Sequence, residues 1–463
     1  MDAGEDRISR LPDELLNTIL LRLRSTRAAA RAAALSRRWR HVWTPLPELF
    51  LSEGSHDATF LDTVDAALAA CDSAPALQGL TIALSAIRGG GVLAERVAPW
   101  LRFASERVVG PLFLLLPKPE EVDGEEEAAA VLDFPACEGV TRLELSLSGA
   151  WRVRPLPAGL FWALTDLTIV CNYMDGSELT ALVCKQCPRL THLKLYFMLA
   201  NASDIFICSD SLQSLSFSVC KVWLLEIVAP RMEKLSVSIS PDEARISAPK
   251  LAEVAWDDGN YDPRHHRFDD VGRCLRLLEL GQNMSLMQQF DEVDELKLGI
   301  YIPQEIAGYE RFLNQTNKLP KCKILSISLP WRHGLVPGML HLLRGCNSMR
   351  KVSLLVCSDH VSRYPCLPSC PCHSEESHKI DDIFLNSLEE VEITSYTSSH
   401  EILEFVEQLS RCSATILKKV VMKYRLNSPP LTKEVSEKIR SLFQPKIEVN
   451  FYVLSDWKWV CLD

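Results

Sequence analysis

The sequence predicts an α/β fold: a horseshoe-shaped solenoid of short strands and connecting helices, headed by a small three-helix domain. Three observations carry that expectation. A six-position apolar pattern recurs through most of the chain, a proline-containing phrase recurs just ahead of it, and the first fifty residues have helical instead of strand periodicity. Composition agrees, since 47% of the 463 residues are hydrophobic and 24% charged, which supplies a core and excludes disorder as the main state. A net charge of -10 argues against a surface that tracks nucleic acid throughout. Basic charge is local: seven arginines and no acid lie between Arg22 and Arg40, whereas Glu120 to Glu127 is an acidic run.

The first element opens Leu11-Pro12-Asp13-Glu14, and proline followed by acids suits a helix start, where an amide is unpaired and the dipole favours negative charge. Leu15, Leu16, Ile19, Leu20 and Leu23 then make one helical stripe. A second helix is expected from Thr26 to Leu35, capped by Ser25 or Thr26, and a third, capped by Ser36, carries Arg37, Arg38, Trp39, Arg40 and Trp43. Three such helices bury too little to stand firmly alone. No cysteine lies among them, so a protein partner is the expected support, received by the wide apolar stripe. A plain helical hairpin or a DNA-binding helix-turn-helix are the rival readings; against the latter, the third segment is short and rich in tryptophan.

Through Asp6-Arg7-Ile8-Ser9, Leu11-Pro12-Asp13-Glu14-Leu15-Leu16, Ile19-Leu20, Arg22-Leu23 and Leu35-Ser36-Arg37-Arg38-Trp39-Arg40-His41-Val42-Trp43, residues 5–50 resemble the F-box family, in the plant form that pairs an F-box with leucine-rich repeats. The resemblance implies docking onto the Skp-type adaptor of an SCF ubiquitin ligase, and through it a link to cullin and RING subunits. Carried to matching positions, it assigns the contact to Leu11, Pro12, Leu15, Ile19, Leu20, Leu35 and Trp39. The second helix departs from the pattern in being alanine-rich from Ala28 to Ala34, which would weaken its packing.

From Leu77 onward the pattern is apolar-x-x-apolar-x-apolar, as in leucine-rich repeats, whose strands alternate buried and exposed residues. It begins at Leu77, Val109, Val140, Leu164, Leu190, Leu212, Met232, Leu251, Leu275, Val293, Cys322, Met349, Leu388 and Leu417. So loose a pattern also arises by chance, and spacing decides: from Val140 to Leu417 the intervals average about 25 residues, within the leucine-rich range. Cys187-Pro188-Arg189-Leu190, Ala229-Pro230-Arg231-Met232 and Ala248-Pro249-Lys250-Leu251 repeat one phrase, with proline expected at a strand's first edge. Asp175 to Cys187 and Gly334 to Cys346 have the helical period of convex-side helices. Degenerate repeats are thus expected over residues 75–400.

Exposed strand positions of such an array face its concave, binding side. They nominate Arg142, Glu144, His192, Lys194, Tyr196, Lys234, Glu253 and Asp257 as target-contacting residues, with Ser214, Ser216, Ser218, Ser236 and Ser238 between them. That mixed face suits a protein or peptide better than nucleic acid. Residues 385–463 contain a helix from Leu431 to Phe443 and a strand from Ile447 to Val453. Through Ala414-Thr415-Ile416-Leu417-Lys418-Lys419-Val420 they resemble the FBD region of plant F-box proteins, which here would cap the array.

Chemistry is absent from the motifs: the chain has no G-x-G-x-x-G, P-loop, G-x-S-x-G or H-E-x-x-H, so neither a catalytic residue nor a cofactor is expected. Cys366, Cys370, Cys372 and His373 could gather around zinc, but they lack a C-x-x-C pair and the intervening prolines can stiffen the loop unaided, so no metal is expected. Sixteen scattered cysteines behind a polar start read as buried small hydrophobes of a reducing compartment, cytoplasmic or nuclear. Val108 to Leu116, the longest apolar stretch, falls short of the roughly 20 residues of a membrane span. The expected function is therefore that of a non-catalytic receptor that holds a target protein for an SCF-type ligase; a repeat scaffold outside any ligase is the alternative, and nucleic-acid binding through Arg22 to Arg40 a third.

Overall fold

The computed structural model describes residues 46–52, 59–71, 76–84, 91–120, 129–281, 283–302, 306–329, 334–345, 348–356, 379–380, 383–395, 400–425, 433–455 and 458–462, with residues 11, 12, 15, 370 and 373. The three helices expected ahead of Trp43 lie outside these residues, apart from Leu11, Pro12 and Leu15. In chain order the strands begin β1 (Glu48–Ser52), β2 (Gly79–Ala83), β3 (Pro111–Leu116), β4 (Ala130–Phe134), β5 (Arg142–Leu147), β6 (Trp151–Pro155) and β7 (Asp166–Met174). There follow β8 (His192–Cys208), β9 (Ser214–Val228), β10 (Lys234–Val237), β11 (Glu243–Ser247), β12 (Glu253–Trp256), β13 (His266–Asp269) and β14 (Cys274–Leu280). The remainder are β15 (Glu292–Gly299), β16 (Lys321–Leu329), β17 (Lys351–Val356), β18 (Glu390–Ser395), β19 (Lys419–Arg425), β20 (Glu448–Ser455) and β21 (Lys458–Leu462). The helices are α1 (Thr59–Ala70), α2 (Ala94–Arg107), α3 (Gly176–Ala181, continued by a π-turn over Leu182–Gln186), α4 (Ile306–Gln315), α5 (Leu335–Gly345), α6 (His400–Arg411) and α7 (Lys433–Leu442).

Two compact units result: Met1–Glu233 with Ile239–Pro249 and Arg267–Asp270, and Lys234–Ser238 with Lys250–His266 and Val271–Asp463. In the first, β1, β2, β3, β5, β7, β8, β9 and β11 pair in parallel in that order, and β4 pairs with β6, which meets the end of β7. In the second, β10, β12 and β14 to β20 form a parallel ladder. There β21 turns back antiparallel on β20 and covers its edge.

Every repeat of the apolar pattern lands on a strand, and its three apolar positions are buried with one exception. Val109 is 56% exposed, because Val108 takes the inward place, bridging Leu77, and Gly110 then turns at φ 150°. A side chain at 110 would meet the Gln78 carbonyl oxygen at 2.0 Å, so only glycine lets the chain re-enter the sheet there. The recurrent proline sits one step earlier than expected, not on the strand but in the turn before it. Leu190 N donates to Cys187 O (3.3 Å) and Met232 N to Ala229 O (3.0 Å), which places Pro188 and Pro230 second in a turn, the position their fixed φ favours. The same closure without proline recurs at Cys137–Val140, Phe161–Leu164 and Leu385–Leu388.

Several elements escaped the sequence pattern. Leu46-x-x-Leu49-x-Leu51 obeys it and is buried, forming β1 ahead of the first repeat read from the sequence. Strands β8 and β9 run to 17 and 15 residues because alternation resumes beyond the template; the pairing absorbs the join by register shifts between Met198 and Ile205. Helix α2 buries Val97, Trp100, Leu101 and Ala104 along one face despite Pro99 within it. Trp100 Nε1 donates to Asp65 Oδ1 of α1 (2.6 Å), and Arg96 bonds the same carboxylate, which ties the two helices together.

The expected helix and strand near the carboxy end are present as α7 and β20, with α6, not foreseen, burying Ile402, Phe405, Val406 and Leu409. No described cysteine is in a disulfide; burial pushes the thiols of Cys137, Cys171 and Cys187 up to about 12. Among the described residues no helix is long and apolar enough to cross a membrane.

On the outward face of the second unit, stacking of equivalent positions would bring like charges together, and the sequence alternates them. Lys234 lies opposite Glu253, and Lys351, Glu390, Lys419 and Glu448 follow one another across four strands. Glu392 sits between Lys351 Nζ (3.1 Å) and Lys423 Nζ (2.5 Å). Burial raises its pKa, but hydrogen bonds from Lys423 and Lys351 outweigh burial and hold it below the ordinary value. Lys351, whose burial opposes its charge, is nonetheless held above its ordinary value by Glu392 and Glu390.

Two outcomes are expected. Trp151 is fully buried and its Nε1 donates to Pro117 O (2.7 Å), so Trp151→Phe strands a carbonyl and should lower unfolding free energy by about 1–3 kcal/mol in urea titrations, with no shift in the urea midpoint counting against this account. Glu392→Gln should cost about 1–2 kcal/mol at pH 7. A depressed carboxyl contributes above its unfolded value and loses that contribution as pH falls through its folded one, so the difference from the native chain should close below about pH 4.3, while the Lys351 contribution fades only above about pH 10.4. A gap that does not narrow at all as pH falls below about 4.3 would contradict the assignment.

Candidate functional site

Of the residues expected to contact an adaptor, Leu11, Pro12 and Leu15 are described. Leu15 N donates to Pro12 O (3.1 Å), and the Leu15 side chain is 50% exposed. Pro12 is exposed and Leu11 half-buried, whereas Ile19, Leu20, Leu35 and Trp39 lie outside the described residues.

The residues expected to contact a target fall into two sets. In the first unit Arg142, Asp166, His192 and Ser214 occupy one row across β5, β7, β8 and β9, and Glu144, Thr168, Lys194 and Ser216 the next. Asp166, which sequence reasoning passed over, organises the first row: its Oδ1 lies 3.9 Å from Arg142 Nη2 and 3.5 Å from His192 Nδ1, and the Thr165 hydroxyl donates to its Oδ2 (2.7 Å). Tyr196 stands 62% exposed in the third row. Ser218, expected on this face, is instead buried, because Phe217, Ser218 and Val219 are covered consecutively and both faces of β9 are closed there.

In the second unit Lys234 and Arg276 clamp Glu253 at 2.9 and 2.5 Å. Burial alone would raise the Glu253 pKa, and the two cations reverse that and lower it. Beyond this clamp the sheet face opens as a trough of about 760 Å³ running from Ser236 and Ser238 of the first strand to Glu392 and Thr394 of β18. Its floor is made small by Gly281, Gly299, Ser326, Ser328 and Ser353, and its charged walls are Asp257, Glu279, Lys297 and Glu392. The backbone at Asp257 is fixed on both sides: Trp256 is buried edge-on against Tyr261 (5.3 Å) and tilted against His266 (5.3 Å), and Asp257 N donates to Val237 O (3.0 Å). A side chain at 281 would strike Asp257 Oδ1 at 2.2 Å, so glycine is what allows the carboxylate to lie across β14's end. Asp257 was legible as a candidate; Glu279 and Lys297 occupy equivalent exposed positions of repeats already recognised at Leu275 and Val293, and that position was the signal that could have found them.

The trough has donors, acceptors and volume for a chain of another protein, but no nucleophile paired with a base. Among the described residues no three His, Cys, Asp or Glu side chains gather closely enough to hold a metal; Cys370 and His373 are described, Cys366 and Cys372 are not.

Residues 8–51 match the F-box domain model, and residues 97–268 match the model for the leucine-rich repeats of FBD-associated F-box protein At5g56370. The chain is 23% identical over 441 residues to putative F-box/LRR-repeat protein At5g02930 of Arabidopsis thaliana, covering 90% of this chain and 87% of that one. It is 28% identical over 373 residues to F-box/LRR-repeat protein At3g03360 of the same plant (76% and 71% covered), and 28% over 274 residues to F-box/FBD/LRR-repeat protein At5g56420 (56% of each). Neither matching model is that of a catalytic domain. An F-box match followed by in-register parallel strands of the leucine-rich pattern makes this chain similar to the F-box/leucine-rich-repeat proteins of Arabidopsis thaliana.

Proposed function

We propose that the chain is the substrate-recognition subunit of an SCF-type ubiquitin ligase. Its F-box, over residues 5–50, docks as three helices on a Skp-type adaptor and so joins cullin and RING subunits; its repeats, over residues 75–400, form a horseshoe that holds a target protein on the concave side; residues 385–463 cap that array. The chain performs no chemistry itself: it raises the effective concentration of the target beside the ubiquitin-transfer machinery, in the cytoplasm or nucleus. One observation carries the reading, namely that an F-box match at residues 8–51 precedes a parallel array with an open trough of about 760 Å³. Leu15, half exposed at the start of its helix, is the one described apolar residue of the expected contact that already faces outward enough to enter a partner's groove.

The test is capture of the full chain by a purified Skp-type adaptor. Leu15→Asp combined with Ile19→Asp would put charge into an apolar groove and should weaken capture by about a hundredfold or more, as should deletion of residues 1–50, while circular dichroism of the repeats stays unchanged. Absence of capture by the native chain would overturn the ligase reading.

A further inference from the structure

We propose that the trough of the second unit binds an extended peptide segment of a target protein, and that Asp257 and Glu279 receive a Lys or Arg side chain of that segment near one end; this rests on the target-receptor reading above. Three other acids on this side of the unit, from β12 to β18, have a cation within 4.0 Å. Glu253 is held by Lys234 and Arg276, Glu295 lies 3.7 Å from Lys297, and Glu392 is shared by Lys351 and Lys423. Asp257 and Glu279 break the rule: among the described residues neither carboxylate has a hydrogen bond or a cation within 4.0 Å. They are neighbours on the face of the sheet, since Ala255 opposes Glu279 and Asp257 lies two residues further along β12's line. Lys297 opposes Glu279 on β15, but its ammonium lies 3.7 Å from Glu295, so the diagonal pair of carboxylates repel one another and a cation between them removes that cost.

The space beside them belongs to the same site. Gly281 and Gly299 remove side chains from adjacent places on the floor next to Asp257, and Ser326, Ser328 and Ser353 continue it with small polar side chains whose hydroxyl oxygens can accept from a main chain. Seven strands border the trough, from β10 to β18, so at about 4.8 Å per strand it extends roughly 29 Å, the length of about eight to nine extended residues. A nucleic-acid backbone would meet repulsion at the acidic end, whereas a peptide can present one cation there and small or polar groups beyond.

Selection of random twelve-residue peptides displayed on phage, against the full chain without any adaptor, tests this. Selected peptides should share one position fixed as Lys or Arg, and replacing that residue by norleucine should weaken binding about tenfold. Asp257→Asn with Glu279→Gln should produce the same loss with the unaltered peptide. Gly299→Val is the second variant: a Cβ there meets its nearest neighbours at 3.5 and 3.6 Å, ordinary contact for the fold, yet it fills the floor and should abolish binding. Failure to select any peptide, absence of a fixed basic position, or unchanged affinity in the Asp257→Asn, Glu279→Gln protein each overturns the proposal. Because no adaptor is present, these outcomes stand apart from success or failure of adaptor capture.

Discussion

Apart from the antiparallel β21 and the register shifts late in β7 to β9, each unit of this protein hydrogen-bonds its strands in parallel and in register, so residues at equal places in successive repeats are stacked about 4.8 Å apart, and the character of a row depends on every strand that contributes to it. A slip by one residue in any strand would turn its apolar set outward, which is why three buried positions per repeat suffice to fix the whole ladder. The turns reinforce the register: Thr165 N donates to Thr141 O and Thr191 N to Thr165 O, and the Thr191 hydroxyl bonds the same carbonyl as its amide, so each repeat is tied to the one before it outside the sheet as well.

Stacking constrains the exposed side more severely than the buried one. A core row can be leucine throughout, but a row of identical charges cannot be, and the alternation of lysine and glutamate across β17 to β20 resolves the conflict locally. Where neutralisation fails, at Asp257 and Glu279, the floor beside them is also stripped of side chains. Charge frustration and open volume therefore coincide at one end of one unit, while in the first unit Asp166 pairs with both of its neighbours and leaves a better compensated surface.

The apolar skeleton was legible because alternation within a strand is enforced by local geometry and needs no knowledge of distant residues; even β1, passed over at Leu46, obeys the pattern that the others follow. What escaped has identifiable causes. Pro99 disguised α2, whose buried Trp100 and hydrogen bond to Asp65 sustain a helix that local propensity disfavours. The prolines ahead of the strands were noticed, but their place in a turn depends on a carbonyl three residues away. The trough escaped because it is made by what is missing: Gly281 and Gly299 lie one residue past the end of their templates, and a gap shows only when neighbouring strands are set side by side. The F-box motif itself was plain, since it is a local signature; Ile19, Leu20, Leu35 and Trp39 are not among the described residues.

The buried thiols of the repeats have a practical meaning. Cys137, Cys171 and Cys187 are enclosed in the first unit, and Cys322 and Cys412 in the second, while Cys208, Cys274 and Cys461 stand exposed. With three of those thiols pushed up to about 12, alkylating reagents at neutral pH meet a sharp contrast between silent and reactive positions. The chain thereby carries its own spectators of breathing: the rate at which each enclosed sulfur becomes modified reads out how often its repeat opens, separately for the two units, without any label having to be introduced.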